Sequence, residues 1–157
     1  MEEMKLSPPW KQAVKELIDA GLTYGSTVTK DQIIDLCDMQ RPTTIQEKKV
    51  FDLRLMGCIG EIKDALLIDH TMLLVTNRDE SYRVISPKEQ TAYSITTGAR
   101  DVAKAMYRMA LNVQYVNTAL LDETQRKQNA DAQAKISMLT GMNRTANSEL
   151  RGIVGTA

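Results

Sequence analysis

The side chains best placed for chemistry are hydrogen-bonding and cationic groups at the start of a helix. Thr43, Thr44, Gln46, Lys48 and Lys49 fall in the first turns of a helix that opens at Thr44, and Arg54 follows further along. Thr and Gln can hydrogen-bond base edges, while Lys and Arg can meet phosphates. A polar turn, Asn77-Arg78-Asp79-Glu80, offers Arg78 as a second contact, and Arg83 follows it. Asp79 and Glu80 oppose deep insertion of that turn beside phosphates. Arg100, Lys104 and Arg108 recur at i, i+4 and i+8. Three cations in line on one helix stripe can follow a phosphate backbone. Each set also reads as an ordinary solvated surface.

Enzyme chemistry has little to stand on. The chain has one His, His70, and no phosphate-binding loop, GxSxG motif or cluster of metal ligands. Asp31, Asp35 and Asp38 share a helix and read as a solvent face. Cys37 and Cys58 lie in apolar helical patterns and read as reduced core thiols, since a zinc site needs about four close ligands. The expectation is a protein with no catalytic residue, cofactor or metal.

These side chains need elements to position them. Residues 8–20 read as a first helix, with Ser7 as N-cap, two prolines in the first turn, and Trp10, Val14, Leu17 and Ile18 on one face. Gly21 is a C-terminal stop. Residues 22–29 are β-like. Thr29 and Gln32 form a capping-box pattern before DQIIDLCDM, and Arg41-Pro42 breaks the chain. Thr44 and Glu47 form a second box before a helix over 45–66, with Phe51, Leu55, Ile59, Ile62 and Leu66 in series. Gly57 and Gly60 weaken it, and mark close packing or a bend. TMLLVT, NRDE and SYRVIS then read as a hairpin that Pro87 ends.

From residue 88 the pattern changes. Ile95, Ala99, Val102, Met106, Met109, Val113, Val116 and Leu120 form an a/d heptad seam. Val102, Met106, Met109, Val113, Val116 and Leu120 are the expected oligomerisation residues, in a homodimer or higher oligomer; an intramolecular bundle would use the same stripe. Tyr107, Leu111 and Tyr115 lie on the outer side and need a packing partner. Asp122 is the expected N-cap of a last helix over 123–140, Gly141 its stop, and residues 142–157 a flexible tail.

The fold class expected is mainly α with a small β-hairpin: a winged helix over 1–87, then a helical, coiled-coil-like region over 88–141. Residues 24–90 resemble the winged-helix domains of small bacterial and bacteriophage DNA-binding proteins. The likeness rests on YGSTVTKDQIIDLCDM, the long apolar helix and SYRVISPKEQ, and covers a little under half the chain. It implies double-stranded DNA as partner, with Thr44, Gln46, Lys48 and Lys49 at the major groove and Arg78 on the wing. The implied role is regulation of transcription, or organisation of replication or recombination. Charge points partly elsewhere. Residues 1–87 carry 11 basic and 14 acidic residues and residues 88–157 carry 9 and 6, for a net charge of zero. The acidic half leaves room for a protein partner instead, as in an inhibitor or adaptor of a DNA-handling machine. No apolar run is long enough to span a membrane. MEEMKLSPPW lacks the pattern of a signal peptide, so the expected location is the cytosol or nucleoid.

Overall fold

The computed structural model describes residues 7–155. The leader argument on residues 1–6 and the last two residues of the expected tail lie outside them. The described residues form five α-helices, one short 3-10 helix and a three-stranded antiparallel sheet. The chain divides after Pro87 into two units.

In the first unit, α1 (Pro9–Asp19) begins with proline in its first turn, where a missing N–H costs nothing. The expected Ser7 cap is not used; Pro8 occupies the cap position and no side chain caps the helix. Gly21, at φ +86, closes α1, and Leu22 N–H donates to the Leu17 carbonyl at 3.0 Å. β1 (Thr27–Val28) leads to α2 (Lys30–Leu36), whose Thr29/Gln32 capping box forms in both directions. α3 (Ile45–His70) opens on the Thr44/Glu47 box and runs a turn past the expected end, to a left-handed Thr71.

β2 (Leu74–Thr76) and β3 (Tyr82–Val84) form the hairpin. β1 adds to it, giving the strand order β1-β3-β2 with Val28 opposite Tyr82 and Leu74 opposite Val84. Three helices and the sheet share one core. Ala13, Val14 and Leu17 meet Ile33, Ile34 and Cys37, and Leu55, Ile59, Ile62 and Leu66 join them with Val28, Leu74, Tyr82 and Val84.

The second unit departs from expectation in three places. Pro87 does not merely end the hairpin; it starts α4 (Pro87–Gln114). The heptad seam does not run unbroken to Leu120, because α4 stops at Gln114. Val116 lies in the link and Leu120 in the 3-10 turn Thr118–Leu120, where Ala119 N–H donates to Asn117 Oδ1. Nor does Gly141 stop the last helix. α5 runs from Glu123 to Gly155, so residues 142–155 are helical rather than a loose tail. One interior glycine costs about 1 kcal/mol against alanine, which a 33-residue helix absorbs. Asp122 caps α5 as expected: Gln125 N–H donates to its carboxylate at 2.8 Å, and Asp122 N–H donates to the Gln125 side chain at 3.1 Å.

Candidate nucleic-acid interface

The opening of α3 overhangs the core. Residues 43–50 are all exposed, and the first buried residue of the helix is Leu55. Its geometry is set by one carboxylate. Glu47 Oε2 accepts from Thr43 N–H and Thr43 Oγ1, both at 2.9 Å, and from Thr44 N–H at 3.2 Å. Thr44 Oγ1 accepts from Glu47 N–H at 3.2 Å. The Thr43 backbone hydrogen bond is the largest of several that hold the Glu47 carboxyl below its ordinary pKa. The two threonine hydroxyls are thus engaged in capping. Gln46, Lys48, Lys49 and Arg54 stand exposed, and none of these three cations has an ion pair among the described residues.

The hairpin tip settles its acids within the protein. Ser81 Oγ donates to Asp79 Oδ1 at 2.6 Å, which lowers the Asp79 pKa. Glu80, at φ +62, receives the Lys30 ammonium at 3.1 Å, a contact that raises the lysine pKa. Arg78 projects at the tip, exposed and without an ion pair among the described residues. Arg83 lies elsewhere. It is half-buried on the middle strand, and strand alternation puts it on the face opposite Tyr82 and Val84.

On α4, Arg100, Lys104 and Arg108 are exposed, and Arg100 also reaches Asp101 at 3.6 Å. Tyr93 and Tyr107 lie on the same stripe and are exposed. On the seam, Met106 and Val113 are half-buried, while Val102 and Met109 remain exposed. Val116 and Leu120 are exposed outside the helix, Leu120 at 82 %. Within this unit a cavity of about 490 Å³ stands open between α4 and α5, lined by Ala110, Gln133, Ile136 and Arg144 among others.

The remaining chemical candidates find structural roles. Arg41 pairs with Asp31 at 2.9 Å and lies 3.9 Å from Asp35. Among the described residues no cluster could hold a metal ion, and no helix is long and apolar enough to cross a membrane. Both cysteines are free, and burial, with Cys58 alongside, pushes the Cys37 thiol up to about 12. Such a thiol is a poor nucleophile.

Of two exposed apolar faces, the sequence pointed only to Leu139, grouped with Ala132 and Ile136 on one side of the last helix. On α3, Gln46, Val50, Leu53, Gly57, Gly60, Asp64 and Leu67 recur at alternating spacings of four and three, opposite the core-facing series. Val50, Leu53, Met56 and Ile68 are exposed there, Leu53 at 71 %. On α5, Leu139, Met142, Leu150 and Ile153 make a similar exposed stripe. Following both helical faces at once, rather than the stronger one, would have found them. No protein family, curated protein or solved structure matches the chain.

Proposed function

We propose that the chain is a non-enzymatic DNA-binding protein of winged-helix type that oligomerises on DNA, in the cytosol or on the nucleoid, as a regulator of transcription or organiser of replication or recombination. The observation that carries the reading is the overhanging start of α3. Gln46, Lys48 and Lys49 have no core duty there, and a helix–strand–helix–helix–hairpin order surrounds them. Gln46 reads a base edge, and Lys48 and Lys49 meet phosphates. Arg78 serves the wing, and Arg100, Lys104 and Arg108 add backbone contacts through the second unit. Thr43 and Thr44 fix the helix end that presents these groups. Several weak modules joined by oligomerisation gain avidity by orders of magnitude.

The test is binding to random duplex DNA across salt concentrations. Affinity falls log-linearly with salt, and replacing both Lys48 and Lys49 with Ala reduces that slope by about two. No detectable binding at low salt overturns the reading.

A second reading has its own support. The exposed Val50, Leu53 and Met56 immediately behind the basic turns suit a protein surface better than a groove of DNA. On that reading the first unit is a protein-binding module of an inhibitor or adaptor of a DNA-handling machine.

A further inference from the structure

We infer that the outward face of α3 is a self-association surface, on which the α3 of a second copy lies antiparallel, crossing at Gly57 and Gly60. The inference does not depend on the DNA reading.

A soluble helix normally buries one stripe and turns charge toward water on the other. α3 instead carries two apolar series. Leu55, Ile59, Ile62 and Leu66 fill the core. Val50, Leu53, Met56 and Leu67 form the second series, all exposed. At its middle, Gly57 and Gly60 leave the surface flat. A Cβ built on either glycine meets nothing within 4 Å, so no neighbour inside the protein requires a glycine there. Each glycine costs the helix about 1 kcal/mol against alanine. A second backbone approaching closely is a reason to keep both.

Charge selects the second copy as occupant. Lys49 lies on the N-terminal half of this face and Asp64 on the C-terminal half, and Arg54 and Glu61 flank it along one edge. All four are exposed and lack ion pairs among the described residues. A two-fold axis between Gly57 and Gly60 makes the face complementary to itself, as an isologous interface demands. It sets Val50 against Leu67 of the second copy, Arg54 beside its Glu61, and Lys49 within a turn of its Asp64. Helices that cross at an angle part toward their ends, so the first turn of each α3 stays open.

The experiment uses the full chain without DNA. Gly57→Cys and Gly60→Cys proteins are mixed under mild oxidation and the disulfide-linked dimer is quantified, with wild type as control for Cys37 and Cys58. The mixture links at least about tenfold faster than wild type. Adding Arg54→Glu to both proteins slows linkage about tenfold, since two exposed ion pairs are lost together. Adding Glu61→Arg as well restores it. Circular dichroism stays unchanged throughout, because all the altered residues but the half-buried Gly60 are exposed. Linkage no faster than wild type overturns the proposal, whether another segment of the chain or a different macromolecule covers the face. So does linkage that ignores Arg54→Glu, or that Glu61→Arg fails to restore; either result would mark chance contact between units tethered elsewhere.

Discussion

The two units use apolar side chains in opposite ways. In residues 7–87 three helices and a sheet converge, and Ile33, Ile62, Leu66, Leu74, Val84 and Ile85 are fully buried. In residues 88–155 two helices of 28 and 33 residues bury a single residue, Ile136. The second unit is not short of apolar residues. Val102, Tyr107, Met109, Met138, Leu139, Met142 and Ile153 are all exposed. Helices in water owe most of their stability to packing of an apolar face, and the two helices of this unit pack little of theirs against each other. The first unit buries a full core and leaves one apolar face, on α3, exposed, whereas the second leaves most of its large apolar side chains exposed.

The largest expected effect tests that contrast directly. Ile62→Ala empties a fully buried site and costs the first unit about 3 kcal/mol, read from urea unfolding. Ile136→Ala in a dilute sample costs well under half as much, because Ile136 borders the open cavity between α4 and α5 rather than a closed core. Equal losses would break the comparison. Next comes Met106→Asp, a charge placed on the half-buried seam of α4. It weakens oligomerisation by about a hundredfold, and light scattering behind gel filtration follows the mass. Helix content of the second unit becomes dependent on concentration, while the first unit unfolds as before. A mass that Met106→Asp does not alter removes the seam from the interface.

What the sequence made legible follows the same division. Local signals in the first unit are strong. Thr29 with Gln32 and Thr44 with Glu47 place two helix starts, Gly21 places a helix end, and alternating apolar residues mark the hairpin. Each depends on neighbours a few positions away. The second unit is governed by periodicity, which says which way a helix faces and little about where it stops. Val116 and Leu120 continue the heptad in number only, since Asn117 turns the chain into a 3-10 cap. Gly141 resembles a stop, yet good helix formers on both sides carry α5 through it. Of the candidate interface, the exposed cations were visible as residues. The capping duty of the Thr43 and Thr44 hydroxyls, and the strand position of Arg83, needed coordinates.

The smallest effect is confined to the first unit and concerns how its α3 is held open. The capping boxes of α2 and α3 are alike except at the third helical residue, where one has Gln32 and the other Glu47. An amide does not titrate in this range and a carboxylate does. Hydrogen bonds from Thr43 and Thr44 favour the charged form, so the folded-state pKa of Glu47 lies below the ordinary 4.5. The sign follows from linkage: a depressed carboxyl pKa stabilises the fold above the unfolded value, and that contribution is lost as pH falls through the folded value. Glu47→Gln keeps the box but removes the charge. Wild type is therefore slightly more stable than Glu47→Gln at pH 7, and the gap closes as the pH drops below 4.5. Urea unfolding of the two proteins at pH 7 and pH 3 reads the difference. A gap as wide at pH 3 as at pH 7 would mean that the charge of Glu47 is not what secures the start of α3. The solvated Gln46 and Lys48 would then owe their placement to Thr44 alone.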